Sequence, residues 1–70
     1  MNKLGKYVKE RRIDGAMTQV ELANKIGITN ITLLKIEKGK CIGSQTIRKL
    51  SDFFNIPTRD IRALMNMGVE

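Results

Sequence analysis

The chain has no histidine, a single cysteine (Cys41) and no glycine-rich phosphate loop. Those absences remove zinc sites, histidine-based triads and nucleotide-binding signatures at their first requirement, so no catalytic residue, metal or cofactor is expected. A lone thiol cannot form an internal disulfide, and without a signal-peptide pattern the expected setting is a reducing cytoplasm. Aromatic side chains are limited to Tyr7, Phe53 and Phe54, too few for the stacking platforms that hold single-stranded nucleic acid. No apolar run approaches the ~18 residues that span a bilayer, so neither a membrane nor a small-molecule ligand is indicated.

Acidic side chains are scarce where basic ones are dense. The 70 residues carry 13 Lys/Arg against 7 Asp/Glu, a formal net charge of +6. Residues 1–40 hold nine basic and four acidic side chains, whereas residues 41–70 hold four and three. A surplus concentrated in the first half favours a polyanionic partner met by that half. Residues 1–70 are long enough for one domain, and at this size only about 60% of the unfolded surface is buried, so a second subunit would help.

Helical periodicity runs throughout, with turn signals about every ten residues and no alternating strand pattern. The first of five expected helices spans about Lys3 to Ile13, with Asn2 as N-cap, Leu4, Val8, Tyr7 and Ile13 facing inward, and Asp14-Gly15 ending it. Its inward stripe includes Arg12, a cation that needs a partner. The second helix starts at a capping box of Thr18 and Glu21, with Met17 reaching across to Leu22. Leu22, Ala23 and Ile26 form its buried stripe, and Gly27 stops it in the left-handed conformation with Ile28 folding back toward Ala23.

Thr29 then caps a third helix that Gly39 ends, and the fourth spans Ser44 to Phe54, with Ile47, Leu50 and Phe54 on one face and Asn55 as its stop. Pro57-Thr58 opens a fifth helix through about Met65, in which Ile61, Leu64 and Met65 share a face. Met67 and Val69 are expected to fray.

Only Gly27, Ile28 and Thr29 separate the second helix from the third, and so short a turn forces their axes to cross steeply. At about 100° per residue from Asn30, Leu34, Lys38, Ile31 and Lys35 fall between about 40° and 140°, while Leu33, Ile36 and Glu37 fall between about 240° and 340°. One side of the third helix therefore enters the domain and the other, polar and basic, faces out. This is the pattern of a helix-turn-helix whose second helix enters the DNA major groove.

The stretch MTQVELANKIGITNITLLKIEKGK, with LSDFFNIPTRDI behind it, resembles the phage repressor and Cro type (Xre-like) of helix-turn-helix transcription regulator. The resemblance covers about residues 4–65, with the two-helix unit at about 18–38. It rests on Thr18-Gln19, Leu22-Ala23, Ile26-Gly27-Ile28-Thr29, Leu33, Ile36, Glu37 and Gly39 in register. It implies an all-α fold, a lambda-repressor-like five-helix bundle, that binds double-stranded operator DNA as a symmetric homodimer.

The same resemblance implies roles for single residues. Arg12 would pair with Glu37, and Gln19 would touch a phosphate while bracing the first residue of the third helix. Asn30 matches the first base-facing position, where an amide can make a bidentate contact with adenine. Ile31 stands where the family more often has a polar residue, and it suits thymine methyl groups; Leu34 either reaches a methyl or shields the edge of the core. Lys35 suits guanine or a phosphate, and Thr29 and Thr32 suit phosphates as well as local caps.

Lys38 and Lys40 flank Gly39 and complement the end of the third helix; the family more often has asparagine at 38, so its backbone contact does not carry over unchanged. Arg11, Val20 and Ile42-Gly43 are further departures. Leu64, Met65 and Met67 are the candidates for a dimer contact.

A twofold dimer would set its recognition helices about 34 Å apart over a palindromic site. Occupying a promoter would block polymerase, the repressor reading, or recruit it. The exposed Ile31, Leu34 and Val20 also suit a protein-interaction module, such as an antitoxin or a modulator of another repressor; steep salt dependence distinguishes the DNA reading.

Overall fold

Helix limits in this chain follow from local hydrogen bonds, and the computed structural model, which describes residues 2–67, places them at α1 (Lys3–Asp14), α2 (Gln19–Ile26), α3 (Asn30–Glu37), α4 (Ser44–Phe54) and α5 (Thr58–Asn66). Asn2 caps α1 by accepting the Gly5 amide at 2.9 Å. Thr18 and Glu21 close the capping box of α2, with 2.9 Å from the Thr18 amide to Glu21 and 3.1 Å from the Glu21 amide to Thr18. Asn55 stops α4 with φ of +58°, a geometry its short amide side chain tolerates. Each of these limits agrees with the sequence expectation to within a residue.

Every helix contributes to one core: Leu4 and Val8 from α1, Leu22, Ala23 and Ile26 from α2, Leu33 and Ile36 from α3, Ile47 and Leu50 from α4, and Ile61 from α5. Burying one such side chain fully stabilises the fold by about 1.5–3 kcal/mol before entropy is counted. Tyr7, Phe54, Leu64 and Met65 close the edges, with Tyr7 and Phe54 meeting edge to face at 5.4 Å between centroids. The result is an all-α bundle in which α3 lies on α1 and α2, while α5 packs on α1 and α4.

One expectation for α1 needs correction. Ile13 is 58% exposed and outside the core. It lies nine residues beyond Leu4, a rotation of about 180° that places it on the opposite side of the helix. Asp14 and Gly15 end α1 as expected, with Gly15 at an ordinary φ of −85° and the left-handed conformation at Ala16 (φ +53°). The Met17 amide, bonded to the Arg12 carbonyl at 3.0 Å, carries the chain back over the end of α1 in that turn.

Close approach of α1 to α3 depends on Gly5. It is buried, and a Cβ there would lie 2.7 Å from the Ile36 carbonyl oxygen and 2.8 Å from that of Glu37. At the other end of the chain, the Met67 carbonyl accepts the Lys3 amide at 2.9 Å, which ties the end of α5 to the start of α1. Val69 lies outside the described residues.

Candidate nucleic-acid interface

The turn between α2 and α3 is set by backbone geometry. Gly27 takes φ of +91°, which costs a glycine almost nothing, and its amide and that of Ile28 both donate to the Ala23 carbonyl, at 2.9 and 3.0 Å. Thr29 Oγ1 accepts the Thr32 amide at 3.1 Å and starts α3 at once. Lys49 of α4 completes the arrangement: its Nζ donates to the Gly27 carbonyl at 2.9 Å, satisfying an acceptor in the turn. No local pattern in the sequence marks Lys49 for this role, because its partner lies far away along the chain.

From that turn α3 emerges with two unlike faces. Leu33 and Ile36 are buried, and Glu37 is only 6% exposed. Asn30, Ile31, Leu34, Lys35 and Lys38 are exposed, so the five residues expected to share an outer face do share one. Asn30 hydrogen-bonds through its side chain to none of the other described residues, and its amide is open to an incoming group. Thr29 and Thr32 pair hydroxyl to hydroxyl at 2.8 Å, an arrangement that uses one of their two hydroxyl protons and leaves the other to donate outward.

Lys40 is exposed just beyond the Gly39 turn, where φ is +81° and the Lys40 amide donates to the Lys35 carbonyl at 3.0 Å. Lys35, Lys38 and Lys40 therefore lie along the last turn of α3 and the residues after it.

Glu37 anchors this helix from behind. Arg12 Nε donates to Glu37 Oε2 at 2.9 Å and Arg12 Nη2 to Oε1 at 3.2 Å, a two-pronged contact that matches the planar guanidinium to the carboxylate. Arg12 Nη1 also donates to the Met17 carbonyl at 3.3 Å, so α1, the turn before α2 and the end of α3 meet at one ion pair.

Gln19 departs from expectation. Its Nε2 donates to Glu37 Oε1 at 3.4 Å, bracing the last residue of α3 instead of the first. A carboxylate oxygen has acceptor capacity left after Arg12 has bound, and it draws the amide inward.

The capping box of α2 has an electrostatic consequence. Donation by the Thr18 backbone amide, helped by the Thr18 side chain, holds the Glu21 carboxyl below the usual carboxylate range. The remaining residues singled out from the sequence lie elsewhere. Leu64 and Met65 are half-buried against the core on α5, and Met67 is exposed. Asn2 contributes a contact with no short-range signature, Nδ2 to the Gly39 carbonyl at 3.4 Å, from the start of α1 to the end of the α3 unit.

Among the described residues, no helix is long and apolar enough to cross a membrane. Comparison with curated proteins gives no match. A family model described as helix-turn-helix matches residues 8–61, a span that contains the Arg12–Glu37 pair, the Gly27 turn and all of α3. With α2 and α3 joined by the three-residue turn at Gly27 and the outer face of α3 exposed, this chain belongs to the helix-turn-helix family of DNA-binding regulators, of the Cro and Xre type.

Proposed function

We propose that the chain is a sequence-specific repressor that binds a palindromic operator as a homodimer, with α3 in the major groove. The observation that carries this reading is the division of α3: buried Leu33, Ile36 and Glu37 fix its position, and exposed Asn30, Ile31, Lys35 and Lys38 are left for a partner. Asn30 reads a base edge, Lys35 donates to guanine or a phosphate, and Thr29, Thr32, Lys38 and Lys40 contact the backbone on either side. Gln19 donates one amide proton to Glu37 and offers the other to a phosphate at the start of α2.

Leu64 and Met65 of α5 and Met67 just beyond it supply the dimer contact, and the two α3 helices then face the same side of the duplex about 34 Å apart. The protein acts in the cytoplasm on promoter DNA.

Selection of bound duplexes from a random pool tests the proposal. The expected product is a palindrome with two half-sites one helical turn apart, bound with a log affinity that falls steeply with log salt. Enrichment of a single half-site would remove the dimer, and no enrichment at low salt would remove the DNA reading. Exposed Ile31, Leu34 and Val20 favour a second reading, a surface that meets another protein; binding insensitive to salt is its signature.

A further inference from the structure

The outer face of α3 is apolar at its centre. Ile31 is 67% exposed and Leu34 37%, and they sit one helical turn apart, between Asn30 and Lys35. Neither is among the buried core residues, whereas Leu33 and Ile36 fill the inner face. Neither can donate or accept a hydrogen bond, so they add nothing to phosphate binding.

In the major groove the apolar group that base edges present is the C5 methyl of thymine. The same methyl occupies the same ring position in 5-methylcytosine. We propose, resting on the DNA-binding reading above, that Ile31 and Leu34 form a methyl-reading pair. Its ligand is duplex DNA with C5-methylated pyrimidines, thymine or 5-methylcytosine, at neighbouring positions.

The geometry fits that ligand. Three residues of α-helix advance about 4.5 Å, close to the about 3.4 Å between successive bases of one strand, so the two side chains meet adjacent steps. Ile31 is β-branched and holds one dominant χ1 rotamer in a helix, so it loses little freedom on contact. Lys35 and Lys38 beside the pair provide the charge that brings it against the groove. A consequence is regulation by DNA modification: methylation of a cytosine at one of these steps strengthens binding.

The test uses the full chain and the duplex enriched by selection. Replacing each thymine in turn by deoxyuridine removes only the methyl, and at the two contacted steps it should weaken binding about fourfold per methyl. At the same steps cytosine should bind worse than thymine, and 5-methylcytosine should recover about fourfold over cytosine. Ile31→Ala and Leu34→Ala should each bind the thymine and deoxyuridine duplexes equally at one step while keeping the wild-type salt slope.

Equal binding of thymine and deoxyuridine duplexes by the wild-type chain overturns the methyl-reading pair and leaves the DNA reading intact. A deoxyuridine penalty that persists in the double variant also overturns it, since the methyl then acts through duplex shape. Failure to bind any duplex at low salt overturns both.

Discussion

The inner and outer faces of the short α3 segment obey different rules. On the inner face Leu33, Ile36 and Glu37 are each held by several neighbours, and Glu37 alone accepts from Arg12 and Gln19. On the outer face Asn30, Ile31, Lys35 and Lys38 are exposed. Position is thus determined by one set of side chains and recognition by another, so the two properties can be altered separately.

The largest test of that division is Glu37→Ala. Removing one partner of a buried ion pair leaves the Arg12 guanidinium uncompensated, and the expected loss is about 3–5 kcal/mol. Against a total stability of about 4–10 kcal/mol for a domain of this size, thermal unfolding should show a fall in Tm of about 12 °C or more. Replacing both partners by apolar residues, Arg12→Met with Glu37→Leu, should recover most of the loss. If Glu37→Ala melts like the wild type, the inner face is not held as described.

Gly5→Ala ranks next. The added methyl meets two backbone carbonyl oxygens of α3 that cannot rotate away, so α1 must shift and stability should fall by about 1–3 kcal/mol in a denaturant titration. A wild-type midpoint would show that the approach of α1 to α3 is looser than the structure has it. On the outer face, Lys35→Ala should leave stability within about 0.5 kcal/mol and reduce the slope of log affinity against log salt by about one. An unfolding midpoint that drops with Lys35→Ala would break the separation of faces.

The smallest effect concerns pH. Glu21 has a depressed carboxyl pKa in the folded chain, so its cap contributes stability above its ordinary value of 4.5 and loses it as pH falls through the lower folded value. Glu21→Gln keeps the reciprocal bond of the capping box and removes the titration. Its stability between pH 5 and about 3 should therefore decline less than that of the wild type. Identical pH profiles would show that the carboxylate adds nothing beyond its hydrogen bond.

What could be read from the sequence divides along a similar line. The limits of α2 and α4 are legible because Thr18, Glu21, Gly27 and Asn55 act on amides and carbonyls a few residues away. The outer face of α3 is legible because helical rotation separates it from Leu33 and Ile36 within eight residues. Ile13 is apolar yet sits half a turn of rotation away from Leu4, so residue type alone misassigns it, and the close approach at Gly5 involves carbonyls more than thirty positions away. The partner of Gln19 and the role of Lys49 depend on where distant helices meet, which no short-range rule encodes. Resemblance to a family supplied the Arg12–Glu37 pair, since periodicity alone could say only that Arg12 needed a partner.

Lys49 has a further implication for anyone wishing to move this recognition element to another scaffold. Because its ammonium group fastens the elbow at Gly27 from α4, residues 18–38 excised alone would keep their letters and lose an outside strut. A graft that carries α4 along would keep that outside contact on the elbow.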